Sequence, residues 1–401
     1  MKTSPPPSVL IAPADPLPPD WEPAPNAGWT ASIPPLTLTL ADGGPESHVV
    51  FRAAVARVKR DRPSASPFPI HFEAGPPSRL TATFDDLQRV AQELYGAPPP
   101  GPESARAIRE ASPPAPSPPS IATSRGELLF DGPPLLMGVV NVTPDSFSDG
   151  GLHMAPEAGC DRAWELIEEG ADIIDLGAES TRPGADPIPA EEELRRLLPV
   201  LTRLAPECPV PISVDTYKAE VAEAALGEGA DLINDVSGFS FDQSLPSVVA
   251  RHGVPVILAH TRGRPKTMQE NPRYRWLVAD VIERLAASIR KAEGAGIPIK
   301  RCLIDPGLGF GKTFSQNEEL IEAVPILSQL GLPVVVGPSR KAFIRAKWGD
   351  SPEALTEGTV AVCVRATELG ASVLRVHDVG EVRKALSKDA SWGSTAQPGV
   401  I

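Results

Sequence analysis

Eight short apolar runs recur along the second two-thirds of the chain, at 135–142, 172–178, 211–216, 232–237, 255–260, 302–307, 333–339 and 373–378. Each is rich in β-branched residues and continuous rather than alternating, the pattern of a parallel strand buried on both faces. A longer segment with apolar residues at helical spacing follows each run. Repeated strand–helix units over about 260 residues predict an α/β fold, a (β/α)8 TIM barrel. A doubly wound sheet is the alternative, but it would use fewer strands and gather its ligand residues at one switch point.

The run ends favour the barrel. They lead in turn into Asn141, Glu179-Ser180-Thr181-Arg182, Asp215, Asn234-Asp235, His260, Asp305, Ser339-Arg340-Lys341, and Arg375 with His377. In a closed barrel these ends meet on the face where active sites lie. A single acid at a strand end usually caps a turn or helix, a reading that remains open for Asp235 and Asp378. So many convergent polar ends are not explained by capping alone.

Upstream the pattern breaks. The chain holds 48 prolines, concentrated early, and residues 4–35 and 98–119 are too rich in them for regular hydrogen-bonded structure. The expected organisation is a disordered tail at 1–40, a small α+β segment at 41–97, and a stiff linker at 98–120. The barrel follows at 121–390, then a disordered tail at 391–401. Within the small segment, 47–60 read as a strand running into a helix and 69–74 as a strand. Residues 84–95 read as a helix, with Phe84, Leu87, Val90, Ala91 and Leu94 on one face.

The formal net charge of −13 argues against a nucleic-acid partner. Four scattered cysteines without a C-x-x-C pair suit a reducing compartment. The opening residues lack the apolar stretch of a signal peptide, and no run approaches membrane-spanning length. A cytoplasmic protein without membrane partners is expected.

Two glycine patterns at 307–313 imitate nucleotide motifs. The P-loop reading fails because Pro306 occupies the required first glycine position, and the dinucleotide reading fails at Lys312. A flexible glycine loop is expected there. More informative are Asn141-Val-Thr-Pro-Asp-Ser-Phe-Ser-Asp-Gly-Gly151, with oxygen donors suited to Mg²⁺, and Glu179-Ser-Thr-Arg-Pro-Gly-Ala185, whose Arg182 offers a fork to phosphate oxygens.

These two loops resemble the signature segments of dihydropteroate synthases. The similarity continues in order through Ile-Ser-Val-Asp-Thr at 212–216, Ile-Asn-Asp-Val-Ser-Gly at 233–238 and Gly-Arg-Pro-Lys-Thr-Met-Gln at 263–269. It runs on through Asp-Pro-Gly-Leu-Gly-Phe-Gly-Lys at 305–312, Gly-Pro-Ser-Arg-Lys at 337–341 and Arg-Val-His-Asp-Val at 375–379. It covers 125–390 and none of 1–120.

The resemblance implies condensation of a dihydropterin methyl diphosphate with 4-aminobenzoate in folate biosynthesis, Mg²⁺ as cofactor, a homodimer and a sulfonamide target. Asp215, Asn234, Asp305, Lys341 and Arg375 would hold the pterin. Asn141, Thr181, Arg182, Arg375 and His377 would hold the diphosphate, with Asn141 also on the metal. Phe147, Thr181, Pro183, Phe310 and Lys341 would form the 4-aminobenzoate site. Asp149, Arg182, Lys341, Arg375 and His377 would support the chemistry. The departures from the family pattern are Ala342, where many relatives carry a hydroxyl, and Ala259-His260-Thr261, where Met-His-Met is common. A corrinoid-linked methyltetrahydrofolate methyltransferase shares the Asp and Asn strand ends but needs neither diphosphate-side loop. A catalytically inactive pterin-binding protein is the non-enzymatic alternative.

Overall fold

The structure is a computed structural model of the 401-residue chain. It describes residues 120–142, 155–182, 184–270, 272–274 and 277–388, residue 90, and four N-terminal strands: β1 Val9–Pro13, β2 Leu36–Leu40, β3 His71–Glu73 and β4 Ser78–Ala82. A hairpin of β5 Ile121–Thr123 and β6 Gly126–Leu128 comes next.

The eight predicted runs each contain one strand. These are β7 Leu135–Asn141, β8 Ile173–Gly177, β9 Ile212–Asp215, β10 Leu232–Asp235, β11 Val256–Ala259, β12 Cys302–Asp305, β13 Val335–Val336 and β14 Val373–Val376. They pair in parallel in the order β12-β11-β10-β9-β8-β7-β14-β13, and a parallel bridge from Ile304 to Val334 joins the two ends. The sheet therefore closes into a barrel, and the doubly wound alternative falls.

Successive residues of a strand face opposite ways, and two separate apolar clusters record this. Leu136, Val140, Ile174, Leu176, Ile233 and Leu258 belong to the large cluster shared with the surrounding helices. Met137, Ile173, Leu232, Ile257, Leu303, Val335 and Val373 form a second cluster inside the barrel near its lower end. The helix Ala190–Leu204 shows the complementary logic: buried Glu193, Leu197, Val200, Leu201 and Leu204 recur at helical spacing.

The hairpin closes the lower end. Ile121 and Leu128 are buried in the interior cluster. Ser124 and Arg125 both bond the fully buried side chain of Asp231. Arg125 also donates to the carbonyls of Gly229 (2.9 Å) and Ala205 (2.7 Å).

The N-terminal region departs from expectation. β1, β2, β4 and β3 form an antiparallel sheet in that order, so the expected tail at 1–40 contributes two strands. The signal lay between the prolines: Leu36-Thr-Leu-Thr-Leu40 alternates with the period of a half-buried strand, and Val9-Leu-Ile-Ala12 is a short apolar run. β3 falls inside the predicted strand at 69–74, whereas β4 was not anticipated. Of the predicted helix at 84–95 only Val90 is described; it is helical and fully buried in the large cluster. The predicted elements at 47–60, the linker at 98–119 and the tail at 391–401 lie outside the described residues.

Replacing Arg125 by alanine leaves Asp231 buried without its cation, held only by Ser124 and the Ile212 N–H among the described residues, and should lower unfolding free energy by about 2–4 kcal/mol. Urea denaturation of the parent and variant measures this; a change within about 0.5 kcal/mol would show that the apolar plug holds the hairpin unaided.

Candidate active site

The alternation that fills the barrel floor with apolar side chains also builds the site. Two residues beyond Ile173, Leu232, Leu303 and Val373 stand Asp175, Asn234, Asp305 and Arg375; two beyond Met137 and Val335 stand Val139 and Gly337. One further step brings Asn141, Gly177 and His377. The register sets Asp215 of β9 beside Gly177 and Asn234. Gly177 leaves room at this point: a Cβ there would stand 3.7 Å from the Asp215 Cβ and 3.9 Å from Asn141 Oδ1.

Arg375 sits at the centre of the interior polar group. Its Nε donates to Asp175 at 2.6 Å and its Nη2 to Asp215 at 2.8 Å. Burial opposes the guanidinium charge, but the flanking carboxylates outweigh it and hold the group's pKa above its ordinary value. Burial raises Asp215 to about 7, with Arg375 opposing and Asp175 adding to the rise. Asn234 Nδ2 donates to the same Asp175 oxygen at 3.2 Å.

Across the barrel, burial raises the Asp305 pKa against the pull of Lys341. Asp305 Oδ1 accepts from the Gly307 N–H at 2.6 Å. Lys341 is lowered to about 8, by burial first and despite Asp305. Its ammonium bonds the Leu308 carbonyl and lies 4.4 Å from the Phe310 ring centroid. Lys341 precedes the helix Ala342–Trp348.

The residues expected on the diphosphate side form a second group. Asn141 Nδ2 lies 3.2 Å from His377 Nε2, and His377 Nδ1 lies 3.0 Å from Ser339 Oγ. An amide nitrogen only donates, so Nε2 is the acceptor and the ring proton sits on Nδ1, donated to Ser339. Burial, then Arg375, Arg340, Arg182 and Arg162, lowers His377 to about 3. The imidazole is therefore neutral and orients Asn141. The positive charge on this side belongs to arginine: Arg182 is exposed beyond β8, Arg162 donates to the His377 carbonyl at 2.8 Å, and Arg340 pairs with Asp378 at 2.6 Å.

Among the described residues no cluster of three or more His, Cys, Asp or Glu could hold a metal. A single amide oxygen still suits Mg²⁺, which keeps several waters and takes its other ligands from substrate phosphates. With its nitrogen committed to His377, Asn141 has its amide oxygen as the candidate ligand atom.

The expected site residues Asn141, Asp215, Asn234, Asp305, Lys341, Arg375 and His377 are thus gathered at one end of the barrel, with Thr181, Arg182 and Phe310 on loops around it. Phe147, Asp149 and Pro183 lie outside the described residues. Asp235 accepts from the N–H groups of Ser237 and Phe239 and acts as a turn cap; Asp378 serves Arg340. The glycine loop is pinned rather than flexible. The buried Lys312 ammonium reaches the carbonyls of Gly307 (2.8 Å), Phe310 (3.0 Å) and His260 (3.3 Å), and His260 Nδ1 at 3.0 Å. A carbon on Gly307 would stand 1.8 Å from the His260 carbonyl oxygen, so the close turn requires glycine.

Attention to strand ends missed Asp175, which lies inside its strand. Its signal was a lone acid in the run Ile173-Ile-Asp-Leu-Gly177. It also missed the support under the second loop, where Glu179 accepts from Tyr217 (2.8 Å) and pairs with Lys218, which also holds Glu193.

Comparison with known proteins agrees with this geometry. The family profile described as pterin binding enzyme matches residues 137–377. The chain belongs to that family. It is 43% identical over 273 residues to the dihydropteroate synthase of Synechocystis, spanning 67% of this chain and 94% of that relative. The Xanthomonas albilineans dihydropteroate synthase solved with 4-aminobenzoic acid superposes with a TM-score of 0.65 at 44% identity, covering 70% of this chain and all of that one. The same organism's enzyme in complex with 7,8-dihydropteroate gives a TM-score of 0.62 at 41% identity, covering 69% of this chain and 100% of the other.

Arg375→Ala leaves Asp175 and Asp215 buried without their shared cation. It should destabilise the fold by about 3–5 kcal/mol near neutral pH. The deficit should shrink as pH falls through about 7 and Asp215 takes up a proton. Melts across roughly pH 5–8 measure this; a loss independent of pH would mean that packing, not charge, accounts for it.

Proposed function

We propose that this chain is a dihydropteroate synthase, joining a (7,8-dihydropterin-6-yl)methyl diphosphate to 4-aminobenzoate with release of diphosphate. The observation that carries this reading is the convergence of buried Asn234 and Asp305 with half-buried Asp215, Lys341 and Arg375 in one group at the upper end of the barrel. A pterin presents an amino group and an N–H side by side, matching the two acceptor oxygens of Asp305, while its oxo group and ring nitrogen match the Lys341 ammonium. Ligand and protein then satisfy polar groups that would be costly to bury alone.

In the proposed reaction the exocyclic C–O bond breaks, the electron pair leaves with the diphosphate, and the electron-rich dihydropterin stabilises the carbon left behind. The neutral aniline nitrogen attacks that carbon and then loses a proton to solvent. No strong base is required, because an arylamine is unprotonated at neutral pH. Arg182 contributes positive charge beside the leaving group. Asn141, held by His377, would hold Mg²⁺, which when bound supplies further neutralisation of the diphosphate. Phe310, Thr181 and Lys341 are proposed to seat 4-aminobenzoate, with Phe147 from the 141–151 loop and Pro183 from the 179–185 loop. Asp149 would add negative potential near the cationic carbon. Ala342 offers no side-chain hydroxyl, so a bound carboxylate or sulfonamide would rely there on backbone N–H groups. A homodimer in the cytoplasm is the proposed setting; no helix among the described residues is long and apolar enough to cross a membrane.

Purified protein should release diphosphate only with both substrates and Mg²⁺ present, forming one dihydropteroate per diphosphate. Release no faster than in an enzyme-free control, from folded protein, overturns the assignment. A second measurement probes Lys341. Its folded pKa is lowered to about 8, so the ammonium is present below that value and lost above it. Pterin affinity should therefore fall as pH rises through about 8, and this fall should be absent from Lys341→Arg, whose charge persists. Calorimetric affinities that stay level across the window would remove Lys341 as a charged pterin ligand.

A further inference from the structure

The carboxylate of Asp175 lies in the middle of β8, with no exposed surface, beneath the group proposed to hold the pterin. Several other buried or partly buried acids of the barrel bond backbone N–H groups. Asp172 serves Leu136, Asp231 serves Ile212, and Asp235 serves Ser237 and Phe239. Asp175 does not follow that pattern. Its hydrogen-bond partners are two side chains, Asn234 at 3.2 Å and Arg375 at 2.6 Å, both meeting Oδ2. Its Oδ1 is buried and has no hydrogen-bond partner among the described residues. A role in fixing the backbone would leave a different set of contacts.

The chemistry of a carboxylate settles what these contacts do. An ionised carboxylate only accepts, so Asn234 must turn its NH₂ end down toward Asp175 and its carbonyl oxygen away from it. The same oxygen fixes Arg375 through Nε, while Asp215 takes Nη2. One buried oxygen thus sets both the donor–acceptor polarity of Asn234 and the direction of the guanidinium.

We propose that Asp175 is a positioning residue for pterin recognition, acting through Asn234 and Arg375 rather than by touching the ligand. This rests on the synthase reading of the site and adds to it a residue from inside a strand. An uncharged amide at the same place could still turn one oxygen to both donors, but it carries no charge to hold the guanidinium and would bury its NH₂ where Oδ1 has no partner. Arg375 is then left to Asp215 as its remaining carboxylate partner and shifts toward it, and the pterin meets a displaced surface. The 4-aminobenzoate side, formed from Phe310, Thr181 and Lys341, should be untouched.

The test compares the parent with Asp175→Asn, using calorimetry with a 6-hydroxymethylpterin and steady-state kinetics in 4-aminobenzoate. The expected result is at least a tenfold loss of pterin affinity, about 1.4 kcal/mol, with the KM for 4-aminobenzoate within about twofold of the parent's. Unchanged pterin affinity, or equal losses for both ligands, overturns the proposal. If Asp175→Asn does not fold, Asp175→Glu takes its place in the same assays; it keeps the charge but displaces the oxygen, and the same outcomes decide. A parent that fails to bind pterin at all would instead refute the synthase reading, so the two failures are distinguishable.

Discussion

The two-residue repeat of a parallel strand, once the sheet is closed, governs both ends of this molecule. Positions that face inward low on the strands must fill a narrow space without water, and they are Met137, Ile173, Leu232, Ile257, Leu303, Val335 and Val373. The inward positions two and four residues later face a space open at the top, and there the chain places Asp175, Asn234, Asp305, Arg375, Asn141 and His377. Sliding one strand by a single residue would exchange its inner and outer faces. Floor, site and outer helical layer are therefore specified together, by one register.

That shared geometry has an electrostatic consequence. Asp175, Asp215 and Asp305 lie near two cations, Arg375 and Lys341, in a region that water reaches poorly. Neither carboxylates nor cations are comfortable alone at such depth. Arg375 is stabilised as a cation by its neighbours, while Asp215 is displaced upward and Lys341 downward, toward neutrality. A ligand carrying both donors and acceptors on a flat polar edge completes what the protein leaves unbalanced.

Much of this was legible in the residue order. All eight barrel strands fall within the predicted apolar runs, and most strand-end residues suspected of chemistry stand together. Strand ends are readable because a buried run stops abruptly at a polar residue. Asp175 was harder to read, since its meaning depends on facing Arg375, 200 positions away in the sequence. Lys312 was misjudged for a related reason: glycines suggest freedom, and only the folded chain shows three carbonyls closing around one ammonium. In the N-terminal region the density of proline concealed the alternation of Leu36–Leu40. Proline restricts its own neighbourhood, and the residues between prolines retain their preferences.

The hairpin at Ile121–Leu128 turns the barrel into a vessel with a single mouth. Asp305 and Asn234 are only 7% exposed, whereas Thr181 and Phe310 are half-buried nearer the rim. Whatever sits on the deep pair lies beneath whatever sits on the rim, and both must use the same doorway. With the far end plugged, the deep pair and the rim residues share a single approach among the described residues, so depth along the barrel axis becomes the coordinate that separates them.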